Sequence, residues 1–141
     1  MNDLFKNINI SIIDTISIEA ELSGIEVYLV GGFVRDLILN RKNKDIDVMV
    51  VGNGIDFAKL ISNKLNKKLQ IFKNFGTAML KTENYEIEFV GARKESYSKD
   101  SRNPLVEQGT LVEDLSRRDF TINSLAISLN KKNYGEIIDL F

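Results

Sequence analysis

The sequence predicts one domain of the α/β (α+β) class, and three stretches predict it. Val27-Tyr28-Leu29-Val30 is an apolar run that stops at Gly31-Gly32 and continues as Phe33-Val34-Arg35-Asp36-Leu37-Ile38-Leu39, a strand turning tightly into a helix. Asp45-Ile46-Asp47 opens a second apolar run, Val48-Met49-Val50-Val51, of strand length. Between residues 69 and 91 three more runs follow one another across Asn74-Phe75-Gly76 and Thr82-Glu83-Asn84, turns short enough for antiparallel hairpins.

Taken in order, residues 8–23 carry Ile8, Ile12, Ile13, Ile16 and Ala20 at helical spacing and end before Gly24, an amphipathic helix whose expected role is packing. A strand is expected over 25–30 and a helix over 32–40, followed by the short basic link Asn40-Arg41-Lys42-Asn43-Lys44, which reads as a solvated turn. The next strand covers 45–51 and the turn Gly52-Asn53-Gly54 closes it. Phe57, Ala58, Leu60, Ile61 and Leu65 lie on one stripe of a helix from Ile55 to Leu65, with Lys64, Lys67 and Lys68 at the end where the helix dipole favours cations. Strands are expected at about 69–73, 76–82 and 85–91. In the last, Tyr85, Ile87, Phe89 and Gly91 alternate with Glu86, Glu88 and Val90, so both glutamates share a face. From Arg93 to Pro104 the chain is polar and reads as a mobile loop. Leu115, Phe120, Ile122 and Leu125 then supply apolar anchors around polar Arg117, Arg118, Asp119 and Asn123, and residues 126–130 and 134–139 read as short strands around Lys131-Lys132-Asn133. There is no internal repeat and no low-complexity segment.

Composition narrows the chemistry. A hydrophobic fraction of 43% over 141 residues supports one sizeable core, so a single domain is expected over 1–141. With no Cys and no His, disulfides, thiol nucleophiles, Cys/His zinc sites and imidazole acid–base catalysis are excluded. Catalysis would fall to carboxylates, Lys, Arg, Tyr or a hard metal with oxygen ligands. The net charge of −1 gives no global basic field, so any nucleic-acid contact must be local. No apolar run approaches the ~20 residues of a membrane span and the N-terminus lacks a basic segment followed by an apolar one. A cytoplasmic protein without membrane contact is expected.

The Gly pair and the Asp pair are the candidate site. At a strand–glycine–helix junction the first backbone N–H groups of the helix point at open space and can cradle a phosphate, although the same pattern is common α/β punctuation. Asp45 and Asp47, two residues apart on a strand, direct both carboxylates to one face. A D-x-D at a strand start is also the pattern of a solvated edge. The energetics favour a cation: at ~4 Å and an effective dielectric of about 20, two carboxylates repel by roughly 4 kcal/mol. Glu88, mid-strand, could complete such a site.

Four motifs in one order, Gly31-Gly32-Phe33-Val34-Arg35-Asp36, Asp45-Ile46-Asp47, Glu88-Phe89-Val90-Gly91-Ala92-Arg93 and Arg117-Arg118-Asp119-Phe120-Thr121-Ile122-Asn123, carry a resemblance to the bacterial-type (class II) tRNA nucleotidyltransferase and poly(A) polymerase family over Val27 to Phe141. The resemblance implies a polymerase-β-like nucleotidyltransferase head, a small mixed, mostly antiparallel sheet flanked by helices. It implies transfer of a nucleotidyl group from ATP, and from CTP in some members, to an RNA 3′-hydroxyl, foremost that of tRNA, with release of pyrophosphate. Gly31, Gly32 and Arg35 match the triphosphate-binding motif. Asp45 and Asp47 match the metal-binding aspartates, with Glu88 at the place of a third carboxylate. Arg117, Arg118, Asp119 and Asn123 match the motif associated with the ribose and phosphates of the incoming nucleotide. Two Mg²⁺ ions, for which Mn²⁺ can substitute, would lower the pKa of the attacking hydroxyl and hold the departing pyrophosphate. Arginine suits polyphosphate because its planar fork donates paired hydrogen bonds.

Family members continue beyond this point into a neck that selects the base and into regions that grip tRNA. The chain is therefore expected to be the head of a longer protein. Two other readings share the D-x-D pair or the glycine turn: a minimal nucleotidyltransferase acting on a protein or small molecule, and a nucleotide-binding module without catalysis.

Overall fold

A computed structural model describes residues 11–96, 105–108, 110–111 and 125–139. The elements in order are α1 (Ser11–Ser23), β1 (Val27–Val30), α2 (Gly31–Ile38), β2 (Asp45–Val50), α3 (Gly54–Leu65), β3 (Leu69–Phe72), β4 (Thr77–Lys81), β5 (Glu86–Gly91), β6 (Arg93–Ser96), β7 (Leu105–Gln108), β8 (Leu125–Ser128) and β9 (Ile137–Asp139). Single 3₁₀ turns at Lys73–Phe75 and Lys131–Asn133 join β3 to β4 and β8 to β9. Among the described residues no helix is long and apolar enough to cross a membrane.

A seven-stranded sheet in the order β3-β4-β5-β2-β1-β8-β9 carries the fold. It is mixed and mostly antiparallel, as expected: β2 and β5 run parallel, and the other neighbouring strands run antiparallel. A parallel pair needs a long crossover. Here α3 and the β3–β4 hairpin provide it.

Helices α1, α2 and α3 end by one device. Gly24, Asn40 and Asn66 sit in the left-handed region just past α1, α2 and α3 (φ +66°, +55° and +53°). In each case the next residue reaches back to a carbonyl five positions upstream: Ile25 to Ala20, Arg41 to Asp36 and Lys67 to Ser62. Gly and Asn are the residues that enter this conformation at least cost. The start of α3 is capped by Asn53, whose Oδ1 accepts the Asp56 N–H at 3.0 Å.

Alternation along the strands divides the sheet into two faces. On one, Ile46, Val48 and Val50 of β2, Ile87 and Phe89 of β5, Val27 and Leu29 of β1 and Ala78 and Leu80 of β4 are buried against Ile12, Ile13 and Ile16 of α1, Phe33 and Val34 of α2 and Phe57, Ala58 and Ile61 of α3. The opposite face bears a smaller cluster of Tyr28, Val30, Met49, Ala92, Leu111 and Ala126. Asp45, Asp47, Glu86 and Glu88, which alternate with the main core, share that second face. The expected packing role of α1 holds, and Lys64 of α3 pairs with Glu19 of α1 at 3.4 Å.

The C-terminal hairpin is fastened through Asn130. Its Oδ1 accepts the Val27 N–H at 2.9 Å and its Nδ2 donates to the Ile25 carbonyl at 2.7 Å, while the Ser17 hydroxyl donates to the Leu129 carbonyl. These bonds tie β8 to the segment entering β1, and so to the strand that leads into the glycine turn.

One expectation is corrected. The polar stretch from Arg93, read as a loop, begins with β6, which pairs antiparallel with β7 in a separate two-stranded sheet, Arg93 opposite Gln108 and Ser96 opposite Leu105. The ladder joins residues 9 to 15 apart in sequence and needs no apolar alternation, so periodicity gave no sign of it. Residues 97–104 lie outside the described residues.

Candidate active site

The centre of the second face is set by the register of β2 on its neighbours. Val30 at the end of β1 lies opposite Asp47, Asp47 opposite Glu88, and Glu88 opposite Met79 of β4, a row across four strands. One step along, Asp45 lies opposite Glu86 and Glu86 opposite Lys81. Lys81 Nζ is 3.7 Å from Glu86 Oε1. The two glutamates that the sequence left equivalent thus have different surroundings: Glu86 faces a lysine at the rim, and Glu88 lies beside Asp47 in the interior of the row. At the ~5 Å spacing of neighbouring strands and an effective dielectric of about 20, two ionised carboxylates repel by roughly 3 kcal/mol.

Gly31 meets this row directly. Its φ is +73°, and a Cβ built on it would come within 2.8 Å of Asp47 Oδ2. Both the conformation and the close approach favour glycine at this position. The start of α2 that follows has no side-chain cap from Val30 and no acidic residue in its first turn, a helix start suited to an anion. A Cβ on Gly32 would meet the Arg35 guanidinium at 3.3 Å, so the cation stands at the same helix start. Phosphate cradle and carboxylates are therefore adjacent, joined at Gly31.

Arg35 is partly exposed and folds onto Asp36, Nε to Oδ1 at 3.1 Å and Nη2 to Oδ2 at 3.3 Å. Asp36 is buried and also accepts from Asn43 Nδ2 at 2.7 Å. The Arg35 hydrogen bonds hold the Asp36 carboxyl below the usual carboxylate range and raise the guanidinium in turn. Sequence reading did not single out Asp36. The signal that could have found it is the polar Asn43 seven residues on, in reach only once the helix turns back to the strand.

Asp45, Asp47, Glu88, Gly31, Gly32 and Arg35 are thus gathered at one end of β1, β2 and β5. Arg117, Arg118, Asp119 and Asn123 lie outside the described residues. Among the described residues no three acidic side chains are arranged to hold a metal ion, so Glu88 lies beside Asp47 without closing a carboxylate trio. The donor chemistry nevertheless suits a hard divalent cation. Mg²⁺ commonly takes one or two carboxylates and completes its shell with water and substrate phosphates, and the anion-binding helix start adjoins Asp47.

A mixed sheet that presents aspartates of one strand beside a glycine turn opening a helix is the arrangement that the sequence resemblance implies. The chain belongs to the poly A polymerase head domain family, whose model matches residues 27–141. It is 44% identical over 117 residues to an A-adding tRNA nucleotidyltransferase of Aquifex aeolicus, covering 83% of this chain and 14% of that protein. It is 32% identical over 142 residues to an A-adding tRNA nucleotidyltransferase of Halalkalibacterium halodurans, covering 100% of this chain and 33% of the relative. Among solved structures, an apo form of a CCA-adding enzyme superposes with a TM-score of 0.85 at 38% identity over 98% of this chain and 34% of the other. A tRNA nucleotidyltransferase complexed with a primer tRNA and an incoming ATP analog gives 0.77 at 40% identity over 89% and 34%. The chain spans a third or less of the length of these curated relatives.

Proposed function

We propose that this chain is the catalytic head of an RNA-terminal nucleotidyltransferase that transfers a nucleotidyl group from ATP or CTP to the 3′-hydroxyl of tRNA. The observation that carries the reading is the space at Gly31, where an added Cβ would meet Asp47 Oδ2, which sets an anion-binding helix start close to a carboxylate row. The relatives named as A-adding tRNA nucleotidyltransferases, and the related structure holding a primer tRNA and an ATP analog, support the choice of reaction and substrates.

In this reading the N–H groups at the start of α2 and the Arg35 guanidinium bind the β- and γ-phosphates, as fixed dipoles and a planar cation bind polyphosphate. Asp45 and Asp47, with Glu88 beside them, would hold two Mg²⁺ ions, or Mn²⁺ in their place. When bound, such ions lower the pKa of the attacking hydroxyl and neutralise charge on the departing pyrophosphate. The RNA 3′-oxygen forms a bond to the α-phosphorus, the bond from that phosphorus to the bridging oxygen breaks, pyrophosphate leaves with the electron pair, and the hydroxyl proton passes to solvent. Arg117, Arg118, Asp119 and Asn123 are assigned to the ribose and phosphates of the nucleotide. The parts that choose the base and grip tRNA are assigned to sequence outside these 141 residues, consistent with a net charge of −1 and short basic runs such as Arg41 to Lys44.

The test is radiolabelled nucleotidyl transfer to tRNA lacking its 3′ end, with calorimetric titration of ATP in the presence of Mg²⁺. Asp45→Ala and Asp47→Ala in the intact protein should abolish transfer while the fold persists. Near wild-type turnover in either variant would remove the metal assignment, and nucleotide binding without transfer by the wild-type protein would make the chain a binding module.

A further inference from the structure

Asn43 lies half-buried in the link between α2 and β2 and uses both ends of its amide. Nδ2 donates to Asp36 Oδ2 at 2.7 Å, and Oδ1 accepts the backbone N–H of Asp45 at 2.8 Å. The chemistry of the partners forces this orientation, since a carboxylate only accepts and a backbone N–H only donates.

The direction of the Asp45 N–H gives this bond its meaning. Along β2 the carbonyls of Lys44 and Val50 accept from Glu86 and Ala92 on the β5 side, whereas Val51 donates to Glu26 on the β1 side. Backbone groups alternate between neighbours along a strand, so even-numbered residues of β2 bond toward β5 and odd-numbered ones toward β1. The pairing of β1 with β2 ends at Val30 opposite Asp47, where the chain turns into α2. Asp45, two residues further out, directs its N–H past the end of that strand, and Asn43 is the acceptor there.

Asp36 anchors the other end. It is 8% exposed and held by Arg35 as well as by Asn43. Its own carbonyl accepts the Arg41 N–H at 2.7 Å, which fixes the start of the link. A continuous path of hydrogen bonds therefore runs from the phosphate-facing helix through Arg35, Asp36 and Asn43 to the first residue of the carboxylate strand.

We propose that Asn43 is a positioning residue that holds the end of β2 in its extended form by bridging Asp36 to the Asp45 backbone, so that the Asp45 carboxylate stays on the metal-binding face. The inference rests on the reading of Asp45 as a metal ligand. Asparagine is specifically suited, because the bridge needs a donor toward Asp36 and an acceptor toward Asp45 at once. Alanine supplies neither, and aspartate would set a second carboxylate against Asp36. Loss of such an outer partner lowers metal affinity by about ten-fold or more where it orients a ligand.

The experiment compares wild-type intact protein with Asn43→Ala, Asn43→Asp, the double variant Asn43→Asp/Asp36→Asn and Asp45→Asn. Two quantities are read: hydrogen exchange of the Asp45 amide without metal, and Mn²⁺ affinity by paramagnetic titration. Nucleotidyl transfer against Mg²⁺ concentration accompanies them. Asn43→Ala should speed Asp45 exchange and weaken Mn²⁺ binding about ten-fold. Its Mg²⁺ requirement should rise while kcat at saturating Mg²⁺ stays nearly unchanged. The double variant exchanges donor and carboxylate between the two positions and should restore protection and affinity, whereas Asn43→Asp alone should not. If Asn43→Ala impairs folding, Asn43→Asp measured against the double variant carries the comparison, since the two differ in the donor toward position 36. Unchanged Mn²⁺ affinity with Asp45→Asn inactive would overturn the role of Asn43 alone. Lost stability or kcat with no change in metal affinity, or a loss that the double variant does not repair, would do the same. Full transfer and Mn²⁺ binding by Asp45→Asn would instead bring down the site reading and the inference together.

Discussion

Replacing Gly31 by alanine separates two costs that the structure distinguishes. Gly24, Gly31 and Gly76 share nearly the same left-handed backbone, φ +66°, +73° and +67°, but only the Cβ of Gly31 would meet an atom within 4 Å, Asp47 Oδ2 at 2.8 Å. Gly24→Ala and Gly76→Ala should therefore each lose about 1–2 kcal/mol from forcing an L-residue into this conformation. Gly31→Ala should lose that amount and roughly 0.5–1.5 kcal/mol more, because the short Asp47 side chain can leave the contact by departing from its rotamer. Urea unfolding with unchanged m values measures all three. The functional cost should be larger than the extra stability cost. Moving Asp47 displaces a carboxylate of the row against the phosphate cradle, and a misplacement of about 1 Å can cost ~100-fold in rate. Transfer by Gly31→Ala should thus fall about 100-fold, while Gly24→Ala and Gly76→Ala transfer normally once folded. Equal activity in all three variants would refute the claim that the Gly31–Asp47 approach serves the reaction.

Glu88→Gln should reduce transfer severely and Glu86→Gln only mildly, because Glu88 lies opposite Asp47 while Glu86 faces Lys81 at the rim; equal and mild losses in kinetic assays would return β5 to a solvated strand. Asn130→Ala removes two hydrogen bonds that tie the C-terminal hairpin to Val27 and Ile25, and should destabilise the chain by about 2–3 kcal/mol in chemical denaturation, at ~1 kcal/mol or more per bond. Tyr28 and Tyr134 are both pushed up to about 12, first by burial, then by the Glu26 and Asp14 carboxylates that accept their hydroxyls. Since the unfolded side chains ionise near 10, their contribution to stability is complete below pH 10 and is lost as pH rises from 10 to 12. Read by difference against the Tyr28→Phe and Tyr134→Phe variants, the tyrosinate absorbance of these two residues should appear together with unfolding in that window, and their ionisation near pH 10 in a fully folded chain would contradict it.

The amino-acid sequence by itself determined what depends on a few neighbouring residues. Asp45 and Asp47 lie on one face because strand side chains alternate, and Glu86 and Glu88 share a face for the same reason. The helix after Gly31-Gly32 and the end of the first helix before Gly24 follow from residues whose backbone preferences are local, whereas the expected helix over 32–40 stops at Ile38 with Asn40 in the left-handed region. The tertiary structure alone decided which strands became neighbours. That β2 lies parallel to β5, with Asp47 opposite Glu88 and Asp45 opposite Glu86, depends on the crossover through α3 and the β3–β4 hairpin, and a shift of register by one residue would have sent every carboxylate into the core. The β6–β7 ladder, the approach of Gly31 to Asp47 and the bridge from Asp36 through Asn43 to Asp45 are of the same kind. Each joins groups whose separation is fixed by packing of the whole chain, and neither side-chain type nor local periodicity carries that distance.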